Sequence, residues 1–132
     1  MKARSDTPVV LHVAAEFEQL AVVRAVTETL AILADYPFDD VADIKLAVDE
    51  VCSELIAAAS TGEELVCAFA VTEADIRITL RSLTGAARVP DHESFGWHVL
   101  ETLMSSVSVS RDLIDTGEQS TTIELVKRRN NG

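Results

Sequence analysis

Two carboxylates one helical turn apart, Glu50 and Glu54, are the residues whose type and spacing first suggest chemistry. They lie in the stretch DIKLAVDEVCSELIAAAS, residues 43–60. Carboxylate oxygens can act as a general base or bind a hard cation such as Mg²⁺. The pair also suits a solvated helix face, because like charges at this spacing repel by only about 0.2–0.5 kcal/mol. The charge pattern leaves both interpretations open.

An apolar stripe predicts where these carboxylates lie on the helix. At about 100° per residue, the stripe contains five branched residues: Val41, Ile44, Val48, Val51 and Leu55. A stripe of this kind packs on a hydrophobic core. Glu50 and Glu54, together with Asp43 and Ala47, are therefore expected on the opposite side of the helix.

The rest of the chain divides into strand-like and helix-like segments. Runs of β-branched residues predict strands, and Gly or Pro marks the breaks. The predicted order is β-α-α-β-β-α-β-β, over residues 9–15, 16–35, 39–60, 64–71, 75–82, 94–106, 107–114 and 120–127. Pro37 should end the first helix, and Asp39 or Asp40 should cap the second. Hairpins with grouped helices predict one α+β domain over 1–132, its helices packed on one face of a mixed, mostly antiparallel sheet.

Composition and charge exclude several classes of protein. The chain has 132 residues, 48% of them hydrophobic, and a net charge of −11. This balance argues against direct nucleic-acid binding, which needs a basic surface. No apolar run suits a signal peptide or a membrane span, so a cytoplasmic protein with no membrane partner is expected. The only basic run, KRRNNG at 127–132, is expected to be a frayed, solvated tail.

The residues that commonly bind metals do not form a recognisable metal site. Cys52 and Cys67 lie inside apolar patterns without CxxC spacing, so we expect two small buried side chains that stay reduced. His12, His92 and His98 lie far apart and lack ligand spacing. No metal site is predicted.

Arg24 is the only basic residue in the apolar stretch LAVVRAVTETLAIL, residues 20–33. One interpretation is an arginine whose aliphatic stem covers the helix while its charge reaches water. The other is a contact with another chain, because the helix is apolar over more than one face.

These motifs and their order resemble the RsbW-type anti-sigma factors, which are serine kinases of the histidine-kinase-like (GHKL) ATPase fold. The resemblance covers nearly the whole chain, from DIKLAVDEVCSELI through GWHVLETLMSSV to STTIELVKR. It implies that Glu50 matches the family's catalytic Glu, which acts as base or positions water. Glu54 falls on the Asn that holds magnesium, and Gly96 on the Gly-rich opening of the third helix. Arg24 matches an arginine on the surface that the sigma factor and the anti-anti-sigma factor share.

The chain departs from the family pattern at several nucleotide-binding positions. Glu54 would add a negative charge beside a triphosphate, where the family has a neutral Asn. Ser82 stands where an Asp contacts adenine, and only Gly85 remains of the glycines that follow. The segment from 82 to 96 suits a short or absent ATP lid, and Ser120 replaces a Gly of the closing strand. The site is therefore expected to be degenerate and to need no cofactor, with ATP and Mg²⁺ as its ligands if it still works.

The resemblance implies an anti-sigma factor that sequesters an alternative sigma factor and is released by an anti-anti-sigma factor. It also implies a homodimer. The alternative is an ATP-dependent serine kinase that phosphorylates the anti-anti-sigma factor, with Glu50 as base. A regulatory domain of the same fold that acts on some other protein also remains open.

Overall fold

The computed structural model describes residues 8–84 and 95–129. A single 3₁₀ turn at Phe17–Gln19 precedes the first helix. Within these ranges the helices are α1 Leu20–Leu33, α2 Phe38–Ala58 and α3 Phe95–Leu103. The strands of the same ranges are β1 Val9–Ala14, β2 Glu64–Val71, β3 Asp75–Thr84, β4 Ser106–Leu113 and β5 Gln119–Arg128. The predicted element order is confirmed.

The strands form one sheet in the order β1-β2-β3-β5-β4. The predicted α+β fold is confirmed. Within the described ranges every neighbouring pair of strands is antiparallel, so the prediction of a mixed sheet is wrong. One face of the sheet is buried by the helices, through alternate residues such as Leu65, Cys67 and Phe69 of β2. Alternation of this kind is what a sheet covered on one side requires.

Helix α2 packs at the centre of the helical layer, between the sheet, α1 and α3. All five residues of the predicted apolar stripe are buried. Ala47 is also fully buried, at 0% exposure, and Glu50 and Glu54 are half-buried. The side of α2 that carries the carboxylates is therefore not a fully solvated face. They lie on a flank of α2 that faces α3, because this helix buries more than one side.

Helix α1 ends two residues before the prediction, and its 3₁₀ first turn is distinct from the helix proper. Asp35 adopts the left-handed conformation, with φ of 66°. Its N–H donates to Ile32 O at 2.9 Å, and the Tyr36 N–H donates to Ala31 O at 3.2 Å. These two bonds form a Schellman motif, which ends a helix by satisfying its last carbonyls. Backbone reversal at Asp35, before the proline, therefore ends α1.

Helix α2 begins at Phe38, with Pro37 in the N-cap position and no side-chain cap. The prediction that Asp39 or Asp40 caps this helix is wrong, because both lie inside its first turn. Carboxylates there still stabilise the helix, since the N-terminus carries a partial positive charge.

The C-terminal basic run is anchored to the fold as far as Arg129, so a frayed tail is wrong for this part of it. The Arg129 guanidinium donates to Ala34 O at 2.6 Å and lies 4.8 Å from the centre of the Tyr36 ring. Lys127 Nζ donates to Leu103 O at 2.6 Å and to Asp43 Oδ2 at 3.4 Å. These two cations stabilise the C-terminal ends of α1 and α3, where carbonyls concentrate negative charge.

Cys52 of α2 and Cys67 of β2 are both fully buried and unoxidised, as predicted. The pKa of the Cys52 thiol is raised well above its usual value, mainly by a hydrogen bond to Cys67 and secondly by burial. A thiol with a raised pKa and no solvent exposure is a poor nucleophile, so this pair serves packing.

The longest helix within the described residues, α2, has 21 residues, and charged side chains interrupt it from Asp39 to Glu54. Within residues 8–84 and 95–129, no helix is both long enough and apolar enough to cross a membrane.

Tyr36 is expected to titrate at abnormally high pH. Burial raises its pKa from 10.0 to about 12, against the lowering effect of Arg129. The folded state therefore holds the phenol proton more tightly than the unfolded state. Its contribution to stability is complete below pH 10 and is lost as the pH rises toward 12. Tyr36 is the only tyrosine, so phenolate absorbance reports it directly.

The control is the same titration in denaturant, where a midpoint near 10.0 is expected. A folded-state midpoint near that value would show that the Tyr36 hydroxyl is solvated. Tyr36→Phe should remove the loss of stability that ionisation of Tyr36 causes as the pH rises from 10 toward 12.

Candidate functional site

A small cleft between α2 and α3 brings together the three predicted nucleotide-site residues, Glu50, Glu54 and Gly96. Its lining consists of two acidic residues, a glycine and four apolar residues: Glu50, Val51, Glu54, Gly96, Trp97, Leu100 and Ile123. Helix α2 supplies both carboxylates, one turn apart, and α3 supplies the glycine at its second position. The proximity of the three residues is thus a property of the fold, whereas their roles remain predictions.

The Glu50 carboxylate lies directly against Gly96. A Cβ placed on Gly96 would collide with Glu50 Oε2 and lie 3.0 Å from its Cδ. Only glycine leaves room for this approach. Backbone N–H groups in the first turn of a helix lack intrahelical partners and attract negative charge. The Glu50 carboxylate therefore adds a negative charge beside the first turn of α3, which disfavours an external anion at this position.

Gly96→Ala is expected to destabilise the protein by no more than about 1 kcal/mol, because the added methyl group must displace the end of the flexible Glu50 side chain. The same substitution in a Glu50→Ala background should be neutral or stabilising, since the collision is gone and alanine favours the helix by about 1 kcal/mol. Urea denaturation of the four proteins in this cycle measures the coupling. Equal effects of Gly96→Ala in both backgrounds would show that Glu50 does not lie over this glycine.

The described lining of the cleft does not fit a nucleoside triphosphate. Its cavity volume is about 10 Å³, which is room for about one water molecule. The lining offers two carboxylates and no cationic side chain to balance phosphate charge. Ser82, predicted to stand where the family has an adenine-binding Asp, is buried and donates its hydroxyl hydrogen to Glu64 O at 2.9 Å. The predicted lid and Gly85 lie outside the described residues.

Arg24 lies on a different face, where α1 meets α2. Its guanidinium contacts Asp49 Oδ1 at 2.7 Å, and both side chains remain partly exposed. One turn further along α1, Glu28 pairs with Lys45 at 3.5 Å. Arg24 therefore has an ion-pair partner on α2 while its side chain remains partly exposed at the surface.

Comparison with known proteins identifies the family. No family model matches the chain. Two curated relatives, both named Anti-sigma-F factor RsbW, come from Mycobacterium tuberculosis strains CDC 1551 / Oshkosh and H37Rv. Each is 33% identical to this chain over 111 residues, which cover 84% of this chain and 66% of the relative. The chain belongs to the RsbW family of anti-sigma factors.

A solved structure supports the fold of this RsbW-family chain. The crystal structure of the RsbU and RsbW domains of Rv1364c from Mycobacterium tuberculosis matches it with a TM-score of 0.72. The match covers 96% of this chain and 33% of that chain, at 20% sequence identity. At that identity the likeness concerns the fold alone.

Sequence reasoning missed the partner of Arg24 in this RsbW-family chain. Asp49 lies 25 residues from Arg24, on another helix, and no local pattern signals such a contact. It also missed the exposure of Phe38, which precedes the predicted second helix and lies in the first turn of α2. Within the described ranges, no cluster of His, Cys, Asp and Glu side chains could hold a metal ion. His92 lies outside those ranges.

Proposed function

We propose that this chain is an anti-sigma factor that sequesters an alternative sigma factor. The observation that carries the proposal is the 33% identity to Anti-sigma-F factor RsbW over 84% of the chain. The match spans only 66% of the length of that relative. The activity and the partners of this chain are therefore part of the proposal.

The surface proposed to bind the sigma factor contains Arg24 of α1, held by Asp49 of α2. A net charge of −11 would steer the chain toward a basic region of its partner and raise the association rate. An anti-anti-sigma factor would release the sigma factor by competing for the same surface. We also propose that the chain acts as a homodimer.

We propose that neither ATP nor Mg²⁺ takes part in this function. The Glu50 carboxylate against Gly96, the narrow cleft and the buried Ser82 hydroxyl support that view. Phosphorylation by this chain would then not be the release switch. The signal would instead act on the anti-anti-sigma factor or on the amount of it present.

The proposal is tested by titrating the purified chain with each alternative sigma factor of its own organism. At least one is expected to bind, and Arg24→Ala should weaken that binding about tenfold or more. Arg24→Ala should lower the free energy of unfolding by less than about 1 kcal/mol, because the Arg24–Asp49 pair is partly exposed. Arg111→Ala, which removes an exposed arginine from β4, is the matched control. Sigma factors that all fail to bind, or that respond equally to both variants, would refute it.

The second candidate is an ATP-dependent serine kinase acting on an anti-anti-sigma factor. The convergence of Glu50, Glu54 and Gly96 on one cleft favours it. Calorimetry with ATP and Mg²⁺ separates the two functions. We expect no heat of binding from the wild type. The Glu54→Asn, Ser82→Asp double variant should gain affinity for ATP if the pocket has kept its shape and lost only the side chains that bind the nucleotide and Mg²⁺. Micromolar binding by the wild type would favour the kinase.

A further inference from the structure

Three large apolar side chains are exposed at the connection between α1 and α2. Ile32, Leu33 and Phe38 are 54%, 72% and 86% exposed, the last being the most exposed large hydrophobic residue within the described ranges. All three lie within one helical turn of the connection, so they share one end of the helical layer. We call this set, together with Asp35 and Asp39, the turn patch.

Both charged side chains of the turn patch are acidic. Asp35 and Asp39 are exposed, and neither forms an ion pair within the described residues. The nearby cations, Lys127 and Arg129, are partly buried behind the connection, where they bind carbonyl oxygens. The outer side of the patch therefore presents apolar surface beside two unneutralised carboxylates.

This combination distinguishes between the possible occupants. A second copy of the chain that docked here through the same patch would bring its own Asp35 and Asp39 against these carboxylates. An anionic membrane would be repelled for the same reason. A basic amphipathic helix satisfies both features, because its apolar stripe covers the aromatic and aliphatic groups while its cations neutralise the aspartates.

We propose that the turn patch docks a basic amphipathic helix of a partner protein, with the helix's apolar stripe on Leu33 and Phe38 and its Lys or Arg side chains beside Asp35 and Asp39. The inference rests on the proposed function in taking the occupant to be part of a protein partner. It adds a second contact separate from the Arg24 surface, because Leu33 follows Arg24 by nine residues, about 13 Å along α1 and half a turn around the helix.

The test uses the full chain and a synthetic 18-residue peptide of Leu and Lys whose leucines recur at helical spacing. A scrambled peptide of the same composition is the control for simple charge attraction. Calorimetry and amide NMR shifts should show binding of the patterned peptide at residues 29–42. The double variant Leu33→Ser, Phe38→Ser should weaken this binding about tenfold or more, whereas Leu113→Ser, which removes a side chain exposed to 73% on β4, should change it less than twofold.

Two further measurements complete the test. Asp35→Asn with Asp39→Asn should weaken binding and flatten its salt dependence, and Asn tolerates the left-handed backbone at position 35. Sedimentation should give the same oligomeric state for wild type and the Leu33→Ser, Phe38→Ser variant.

Several outcomes would overturn the inference. The inference fails if both peptides bind equally or if the NMR shifts are centred outside residues 29–42. It also fails if the patch variant and the Leu113→Ser variant weaken binding equally. A change of oligomeric state in the patch variant would assign the patch to a second copy instead. Because the probe is synthetic, this test can fail while a sigma factor still binds through Arg24, and the reverse.

Discussion

Phe69→Ala is expected to destabilise the protein by about 3–5 kcal/mol, the range for removing a fully enclosed aromatic side chain. Phe69 is 1% exposed and projects from β2 into the core beneath the helices. Neighbouring side chains are held by the sheet and by α2, so they can fill little of the cavity. A typical domain has only about 5–15 kcal/mol of stability. Denaturant unfolding should show an earlier midpoint or a protein that is unfolded in buffer.

Phe38→Ala is the matched control, since it removes the same atoms from a side chain that is 86% exposed. Its effect should lie within about 0.5 kcal/mol of zero. If the two substitutions cost the same, either β2 does not pack as described or Phe38 is covered in solution. The oligomeric state of the Phe38→Ala variant separates these explanations.

Lys127→Met is expected to destabilise the protein by about 2–4 kcal/mol. The ammonium group is largely buried and binds Leu103 O at 2.6 Å, with Asp43 and Asp40 at 3.4 Å and 4.0 Å. Methionine fills most of the volume but leaves a carbonyl and two carboxylates without their cation. Removing one partner of a buried charge cluster costs more than the cluster contributes as a whole. Thermal and urea unfolding measure the loss.

Lys45→Met provides the comparison for Lys127→Met. Lys45 pairs with Glu28 across the α1–α2 surface at 3.5 Å, and both side chains are partly exposed. Water replaces such a pair well, so the expected loss is below about 1 kcal/mol. A loss at Lys127 no larger than at Lys45 would mean that water reaches the Lys127 ammonium group and that β5 is not fixed to α3 through it.

The elements that sequence patterns predicted well are those whose signal is local. The apolar stripe of α2 and the alternation in β2 and β3 depend on the spacing of apolar side chains. Helix ends were predicted less well. Asp35 ends α1 by adopting a positive φ that only some residues tolerate, whereas the nearby Pro37 is the more obvious signal. Both lie within two residues of one another, and only three-dimensional packing decides between them.

The residues of the candidate site were predicted from the sequence, but the contacts between them were not. Glu50, Glu54 and Gly96 were found from residue type and order, and the fold does bring them to one cleft. The contact between the Glu50 carboxylate and Gly96 joins positions 46 residues apart and could not be read from either segment alone. The same is true of Arg24 with Asp49 and of Lys127 with Leu103. Long-range polar contacts leave no periodic trace in a sequence.

The Schellman turn at Asp35 has a consequence for recognition. Its two backbone hydrogen bonds, the Arg129 bond to Ala34 O and the cation over the Tyr36 ring fix the chain between the two helices. Leu33 and Phe38 flank this connection, so the backbone that presents them is already ordered before any partner arrives. A partner therefore meets a preorganised surface, and the entropic cost of ordering at the interface falls mainly on the partner.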